Sequence, residues 1–360
     1  MCRDRRVTPV IPDVDIVALT RALVDIDSTT GREAEAGRWL ADYLRGRGAS
    51  VTEQPVDGAR FNIIATASLE GADFGLQRSR VVLSTHYDCV PPHFPSSLRD
   101  GRLYGRGSCD AKGILAAQVA AIERLRQAGE TRVGMLFVVG EERGSDGATV
   151  ANASPIGSQF LINGEPTDSR LAIATRGNLR VRLRATGRAA HSSVPEHGIS
   201  AIDKLLDALM QLRTLELPAD PELGRTFYSI GLIDGGVAPN VISPHASAEV
   251  MFRTIGPPEP LLALMEQLRP LVDLEEVLRV PHVRMKTWAD SPIDTAVFPF
   301  TTDIPLLAAW GTPLLFGPGS ILLAHTSQEY LELAELEGAI GHYVTLAASC
   351  LRDAAAPATS

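Results

Sequence analysis

Carboxylates and imidazoles occur in this chain where a packed core would exclude them, directly after short apolar runs of strand length. Residues 81–85 run into His86-Tyr87-Asp88, and residues 135–139 run through Gly140 into Glu141-Glu142. Residues 160–163 are followed by Gly164-Glu165, and residues 313–316 lead through Gly317-Pro318-Gly319 to His325. Asp110 stands on the loop before a helical stretch that starts near Gly113. In an open α/β sheet the carboxyl ends of the strands hold the ligand crevice, so four strand ends and one loop would deliver these side chains to one place. His86, Asp110, Glu142, Glu165 and His325 amount to two imidazoles and three carboxylates. That donor mix suits zinc, cobalt or manganese rather than calcium. One bridging carboxylate with two ligands on either side would fit a pair of ions about 3.5–4 Å apart. Asp88, two residues past His86, is placed to hold the other ring nitrogen. Glu141 adjoins a ligand and could accept the proton of an attacking water. Taken singly, each of these is an ordinary turn or surface residue; their recurrence after successive apolar strands is what points to chemistry.

The elements that must position them alternate. Helical periodicity covers residues 15–24 and 33–44, with Gly46 and Gly48 closing the second helix. β-rich runs follow at 61–64 and 81–85, then a helix at 113–126 and a further apolar run at 135–139. Such alternation predicts an α/β domain with a largely buried sheet. The texture changes near residue 175. Residues 179–185 (Leu-Arg-Val-Arg-Leu-Arg-Ala) alternate strictly, as a strand with one wet face does. A helix at 200–212, strands at 227–233 and 246–255, a helix near 260–268 and a last strand near 277–286 complete a β-α-β-β-α-β order, a compact unit of its own. The α/β pattern then resumes with a helix near 303–310, the run at 313–316 and a long helix over 327–351, leaving a frayed Ala/Pro tail after Arg352. The expected domains are therefore 1–174 with 287–360, discontinuous and catalytic, and an inserted 175–286.

Composition removes other classes. With 34 Lys and Arg against 43 Asp and Glu, the net charge of −9 opposes a protein that coats nucleic acid or an anionic membrane. No apolar run is long enough to span a bilayer. The basic start, Met1-Cys2-Arg3-Asp4-Arg5-Arg6, leads into no apolar segment, which reads as a chain without a signal peptide and hence cytoplasmic. Four cysteines without a C-x-x-C pair read as reduced thiols. No G-x-S-x-G elbow, dinucleotide fingerprint or P-loop occurs, which disfavours serine hydrolases and nucleotide-binding enzymes.

The chain resembles the zinc-dependent aminoacylase/carboxypeptidase family, in its acetylornithine deacetylase and succinyl-diaminopimelate desuccinylase branch. The motifs are Ser84-Thr85-His86-Tyr87-Asp88-Cys89-Val90-Pro91, Leu103-Tyr104-Gly105-Arg106-Gly107-Ser108-Cys109-Asp110-Ala111-Lys112-Gly113, Gly140-Glu141-Glu142 with Gly147-Ala148, and Gly164-Glu165-Pro166-Thr167. Gly317-Pro318-Gly319 follows, with Ala324-His325-Thr326 and Glu329-Tyr330; the inserted region matches at Gly187-Arg188-Ala189-Ala190-His191-Ser192-Ser193 and Gly235-Gly236-Val237-Ala238-Pro239-Asn240. The motifs span nearly the whole chain in the family's order. The resemblance implies a zinc-peptidase-like α/β domain with a central mixed sheet and an inserted βαββαβ, ferredoxin-like domain that acts as lid and forms a homodimer. It implies two metal ions with Asp110 bridging, zinc first and cobalt or manganese as substitutes, and Glu141 as general base. His191 and Asn240 would reach the active site from the lid, the histidine often from the partner subunit, and Arg253 would hold a substrate carboxylate.

The expected activity is removal of a small acyl group from an N-acyl amino acid such as N-acetylornithine. Gly164-Glu165-Pro166-Thr167 leans to that branch; succinyl-diaminopimelate or a peptide are the alternatives within the family. Thr175-Arg176-Gly177 carries one basic residue, which argues weakly against a second substrate carboxylate. A non-catalytic binding protein, the reading from a different class, would need a missing ligand or base, and none is missing.

Overall fold

The computed structural model describes residues 13–67 and 79–355. The basic start with Cys2, read as lacking a signal peptide, and residues 356–360 of the Ala/Pro tail lie outside the described residues. The described residues divide into two compact units: 13–67, 79–173, 285–296 and 302–355 form one, and 174–284 with 297–301 form the other. The chain-order reading had placed 297–301 with the first.

In chain order the main elements are α1 (Ile16–Val24), α2 (Ala34–Gly46), β1 (Ala49–Asp57), β2 (Arg60–Ala67), β3 (Val81–His86), α3 (Lys112–Gln127), β4 (Val133–Val138), α4 (Asp146–Asn152), β5 (Phe160–Asn163), β6 (Gly177–Thr186), α5 (Ala201–Leu212), β7 (Phe227–Gly235), β8 (His245–Thr254), α6 (Glu259–Met265), β9 (Asp273–Val280), β10 (Thr312–Leu315) and α7 (Leu333–Ala355).

The first unit is built on a six-stranded mixed sheet of order β1-β2-β4-β3-β5-β10. β1, β2 and β4 pair antiparallel, whereas β4, β3, β5 and β10 run parallel. β3 and β4 are buried along their whole length, which is why they read as unbroken apolar runs. On one face α3 packs against the sheet, α1 and α7, and Ile114, Val119, Phe316 and Tyr343 belong to that core. α3 is buried on nearly every side, so its sequence is Ala-rich rather than amphipathic. On the other face Ile64, Val82, Leu136 and Trp310 close a smaller cluster, and Trp310 satisfies its indole by donating Nε1–H to the Ala151 carbonyl at 3.0 Å. The parallel strands place the ends of β3, β4, β5 and β10 along one edge of the sheet, the edge from which the candidate ligands emerge.

The second unit is a four-stranded antiparallel sheet of order β7-β8-β6-β9. The alternation in β6 buries Leu179, Val181, Leu183 and Ala185 against Leu205, Leu209 and Leu212 of α5 and Leu261 and Met265 of α6. Ser200 starts α5 by accepting the Asp203 N–H at 3.1 Å. The outer surface of α5 leaves Ile202, Leu206 and Met210 exposed, and the edge strand β7 exposes Leu232 and Ile233. Ile202, Leu206 and Ile233 line one shallow groove, so these apolar side chains form a continuous patch.

Local differences from the sequence reading have local causes. The helix expected over 303–310 is two single 3₁₀ turns, Ile304–Leu306 and Ala308–Trp310, because the backbone of Leu307, at φ −112 and ψ 26, leaves the helical region between them. The long helix begins at Leu333 rather than 327, since Tyr330–Glu332 instead pairs antiparallel with Arg102–Tyr104. The strand expected over 277–286 starts earlier and stops at Val280, where Pro281 offers no N–H to the ladder. The tail is not frayed immediately after Arg352: α7 continues to Ala355, and Asp353 accepts Trp288 Nε1–H and pairs with Lys286 Nζ, both at 3.1 Å. Cys89, Cys109 and Cys350 are buried free thiols. Among the described residues no helix is long and apolar enough to cross a membrane.

Candidate metal centre

β3 ends on His86, which turns its Nδ1 back to the Asp88 carbonyl at 3.1 Å and lies 3.5 Å from the Asp88 carboxylate. An Nδ1–H so engaged leaves Nε2 to face the cluster. There Nε2 lies 3.1 Å from Asp110 Oδ1 and 4.0 Å from Glu165 Oε2. The other Asp110 oxygen, Oδ2, lies 3.3 Å from His325 Nε2, and His325 Nε2 is in turn 2.8 Å from Glu142 Oε2. The carboxylate of Asp110 therefore turns one oxygen to His86, which Glu165 also approaches, and the other to His325, which Glu142 also approaches. All five expected ligands come together within the first unit. His86, Asp110 and Glu142 offer donor atoms within 4.8 Å of one another.

Asp88 also receives backbone N–H groups of the Glu141-Glu142 turn, at 3.1 Å from Glu141 and 3.3 Å from Glu142, and the Thr30 hydroxyl at 2.8 Å. Glu141 and Glu142 form a short 3₁₀ turn, entered through Gly140 at φ 77 and left through Gly144 at φ 102, left-handed conformations that glycine adopts freely. His325 itself has φ 64, uncommon for a residue with a side chain.

The electrostatics suit a bound cation. Burial works against ionisation of Asp110, but hydrogen bonds from His325 and His86 prevail and hold its carboxyl well below the usual range. Burial also opposes charge on His86, and the Asp110 and Asp88 bonds overcome it and push the imidazole up. Bonds to Asp110 and Glu142 carry His325 up to about 10. Burial, reinforced by neighbouring acids, pushes Glu141 and Glu165 well above the ordinary carboxylate range. Glu165 Oε1 is buried with no hydrogen-bond partner among the described residues, an expensive arrangement unless a cation sits against it. Two imidazoles, several crowded carboxylates and one orphaned oxygen make a donor set that a divalent transition metal satisfies.

The second unit carries the remaining expected residues. His191 forms an isolated bridge with Val241, and Ser192 N–H bonds the Asn240 carbonyl at 3.0 Å, so His191 and Asn240 stand side by side. His191 is exposed, with Nδ1 2.8 Å from the Ser193 hydroxyl. Arg253 projects from β8, and burial lowers its pKa with no ion pair or hydrogen bond from its guanidinium to any described residue. His191, Asn240 and Arg253 are thus all carried by that unit.

Residues 82–349 match the family described as Peptidase family M20/M25/M40. A relative named "Probable carboxypeptidase", from Aspergillus terreus, is 36% identical over 380 residues, covering 93% of this chain and 86% of that protein. The chain belongs to peptidase family M20. The crystal structure of aminopeptidase PepT from Bacillus cereus has the same fold, with a TM-score of 0.77 at 22% identity over 93% of this chain and 98% of that one. That of the Bacillus subtilis YXEP protein, a dinuclear metal-binding peptidase of the M20 family, gives 0.70 at 16% identity over 94% and 98%. Membership makes the chain a metal-dependent hydrolase of the amidohydrolase and peptidase kind, with a donor cluster in place.

In this M20 member two side chains near the cluster escape a reading by residue type. Asp303 is 1% exposed, and burial pushes its carboxyl up to about 6 against the pull of a Ser145 hydrogen bond and of His86. It opens a 3₁₀ turn in a segment expected to be a plain helix, so no periodicity marked it. Glu33, fully buried, pairs with Arg60 at 3.0 Å; a Cβ on Gly140 would meet that guanidinium at 2.6 Å, so the ion pair lies under the Glu141 turn.

Proposed function

We propose that the chain hydrolyses the amide bond between a small acyl group and an amino acid with a free α-carboxylate, N-acetylornithine being one such substrate. The observation that carries the reading is the split face of Asp110, one oxygen toward His86, which has Glu165 beside it, and the other toward His325, which has Glu142 beside it. Two divalent ions, zinc first and cobalt or manganese as substitutes, would be held by these two sets with Asp110 shared. Bound there, the ions would supply polarisation of the scissile carbonyl and a water with a pKa of about 7. Glu141 takes the proton of the attacking water and returns it to the leaving amine, a role its unpartnered side chain beside Glu142 supports. Asp88 holds both His86 and the turn that carries Glu141. His191 is assigned to the developing oxyanion, and Asn240 and Arg253 to the amino-acid end. The unpaired, half-buried guanidinium of Arg253 supports a carboxylate clamp.

The assignment to the deacetylase branch rests on Gly164-Glu165-Pro166-Thr167. A desuccinylase is disfavoured because Arg176, the lone basic residue there, spends its guanidinium on the carbonyls of Arg225 at 2.7 Å and Leu223 at 3.0 Å. A carboxypeptidase or dipeptidase is the second reading, favoured by the name of the 36% identical relative. We also assign the second unit the roles of lid and homodimer interface, on the strength of its exposed apolar patch. The test compares an N-acetyl amino acid, its carboxamide and a dipeptide, in wild type and in Arg253→Ala, with zinc or cobalt supplied. Wild type should prefer the free acid over the amide by at least tenfold, and the variant should lose that preference. Equal treatment of acid and amide by both proteins removes the clamp; faster turnover of the dipeptide moves the chain to the second reading.

A further inference from the structure

Four residues after His325 the chain buries a second carboxylate that residue type alone does not explain. Glu329 is 0% exposed. Its Oε1 accepts three backbone N–H groups of one turn, from Gly107 at 2.9 Å and from Cys109 and Asp110 at 3.1 Å each. Its Oε2 takes Arg106 Nη1 at 2.6 Å, and its own carbonyl accepts the Gly105 N–H at 3.2 Å. Arg106 is itself 2% exposed, held by the Pro92 carbonyl and lying over the Phe94 ring. The turn can wrap so closely because Gly107, at φ 87, has no Cβ to collide with Cys89 Sγ.

We infer that Glu329 is a positioning residue for the metal centre: it grips the backbone of the 107–110 turn and so fixes Asp110 between His86 and His325 before any metal arrives. The inference rests on the reading of Asp110 as the shared ligand. The physical argument is one of direction. Asp110 must present two oxygens to two different sets, so a small rotation of its main chain spoils both at once. Three N–H bonds to a single oxygen, one of them from Asp110 itself, remove that rotation. Because Glu329 follows His325 on a short connection, the same side chain also ties the segment that carries one ligand to the turn that carries another. A buried ion pair is weak evidence of stability in itself; its placement against a ligand's own N–H is what assigns the role.

The experiment uses the full chain stripped of metal. Cobalt and zinc are titrated into wild type, Glu329→Gln, Glu329→Asp and, as a control for general destabilisation, Trp310→Phe on the far face of the sheet. Glu329→Asp keeps the charge but cannot reach the turn. Both Glu329 variants should lose about 10–100-fold in metal affinity and show an altered cobalt visible spectrum, with kcat falling at saturating metal and KM held. Trp310→Phe should lower the melting temperature while leaving affinity and spectrum alone. Glu329 variants that bind cobalt with wild-type affinity and spectrum overturn the inference, as does a Trp310→Phe variant that loses affinity equally. Hydrogen exchange on metal-free wild type covers variants that do not fold. The Gly107, Cys109 and Asp110 amides should already be protected, and amides that become protected only on metal loading would show that the ion orders the turn. A wild type that takes up no metal at all defeats the functional reading instead, a distinguishable result.

Discussion

The carboxylate of Asp88 accepts the backbone N–H of Glu141 at 3.1 Å. Through this bond the end of β3, which carries His86, and the turn after β4, which carries Glu141 and Glu142, share one anchor. Asp88→Ala releases both, whereas Asp88→Asn retains an acceptor oxygen and loses the charge. We expect metal affinity to fall by about 10–100-fold in Asp88→Ala and by less in Asp88→Asn, read by titrating metal-free protein. Equal affinity in all three proteins would falsify the anchoring role.

Glu141→Gln preserves size and the backbone bond to Asp88 but cannot accept a proton. Turnover should drop by more than about 10²-fold with bound metal per chain unchanged, as read by elemental analysis beside steady-state rates. Near-normal turnover in the loaded variant would take the base role away from Glu141.

Removing the metal should expose the strain of crowded carboxylates around His86. Chelated protein is expected to melt at a lower temperature, and free metal at a hundredfold excess over Kd restores about 2.7 kcal/mol for each site it fills. Two equivalents should be needed for the full effect. Because the ligands must shed protons to bind, affinity should weaken as pH falls. A melting temperature indifferent to zinc and cobalt would refute the centre.

The apolar patch on α5 and β7 predicts a dimer in solution. Ile233→Asp places a charge on the edge strand, where Ile233 is 60% exposed and Leu232 is 64% exposed, and a buried apolar side chain of this size contributes about 1.5–3 kcal/mol. Sedimentation should show wild-type dimers and a dimer Kd raised at least tenfold in the variant. A monomeric wild type would leave the patch without its proposed partner.

The convergence of His86, Glu142, Glu165 and His325 was legible because each comes after a strand whose apolar run ends abruptly, and a parallel sheet collects such ends on one edge; Asp110 was legible only as a loop residue ahead of α3. The inserted βαββαβ unit was legible from the period of two in β6. Asp303 was not, and Glu329 was marked only as part of a motif, with no role. Burial sets the one and a turn's N–H groups with Arg106 hold the other, and neither leaves a periodicity. The segment 330–332 was read as helix because Leu331 fits the spacing of the helix that follows; its strand pairing depends on Arg102 and Tyr104, more than two hundred residues earlier, as the separation of 230 between Arg102 and Glu332 records. Tertiary pairing overrode local pattern there.

The first unit is interrupted by the second, and this bears on how the centre is made. Glu142 and its partner His325 stand 183 residues apart in the chain. At synthesis rates of about 5–20 residues per second the wait between them is about 10–40 s. During that interval the nascent chain holds His86, Asp110, Glu142 and Glu165 without the imidazole that opposes them, and β5 lacks β10 beside it. The half-made cluster is one of acids with a single histidine, so both the sheet, which needs β10, and the proposed site, which needs His325, wait until the whole second unit has been made.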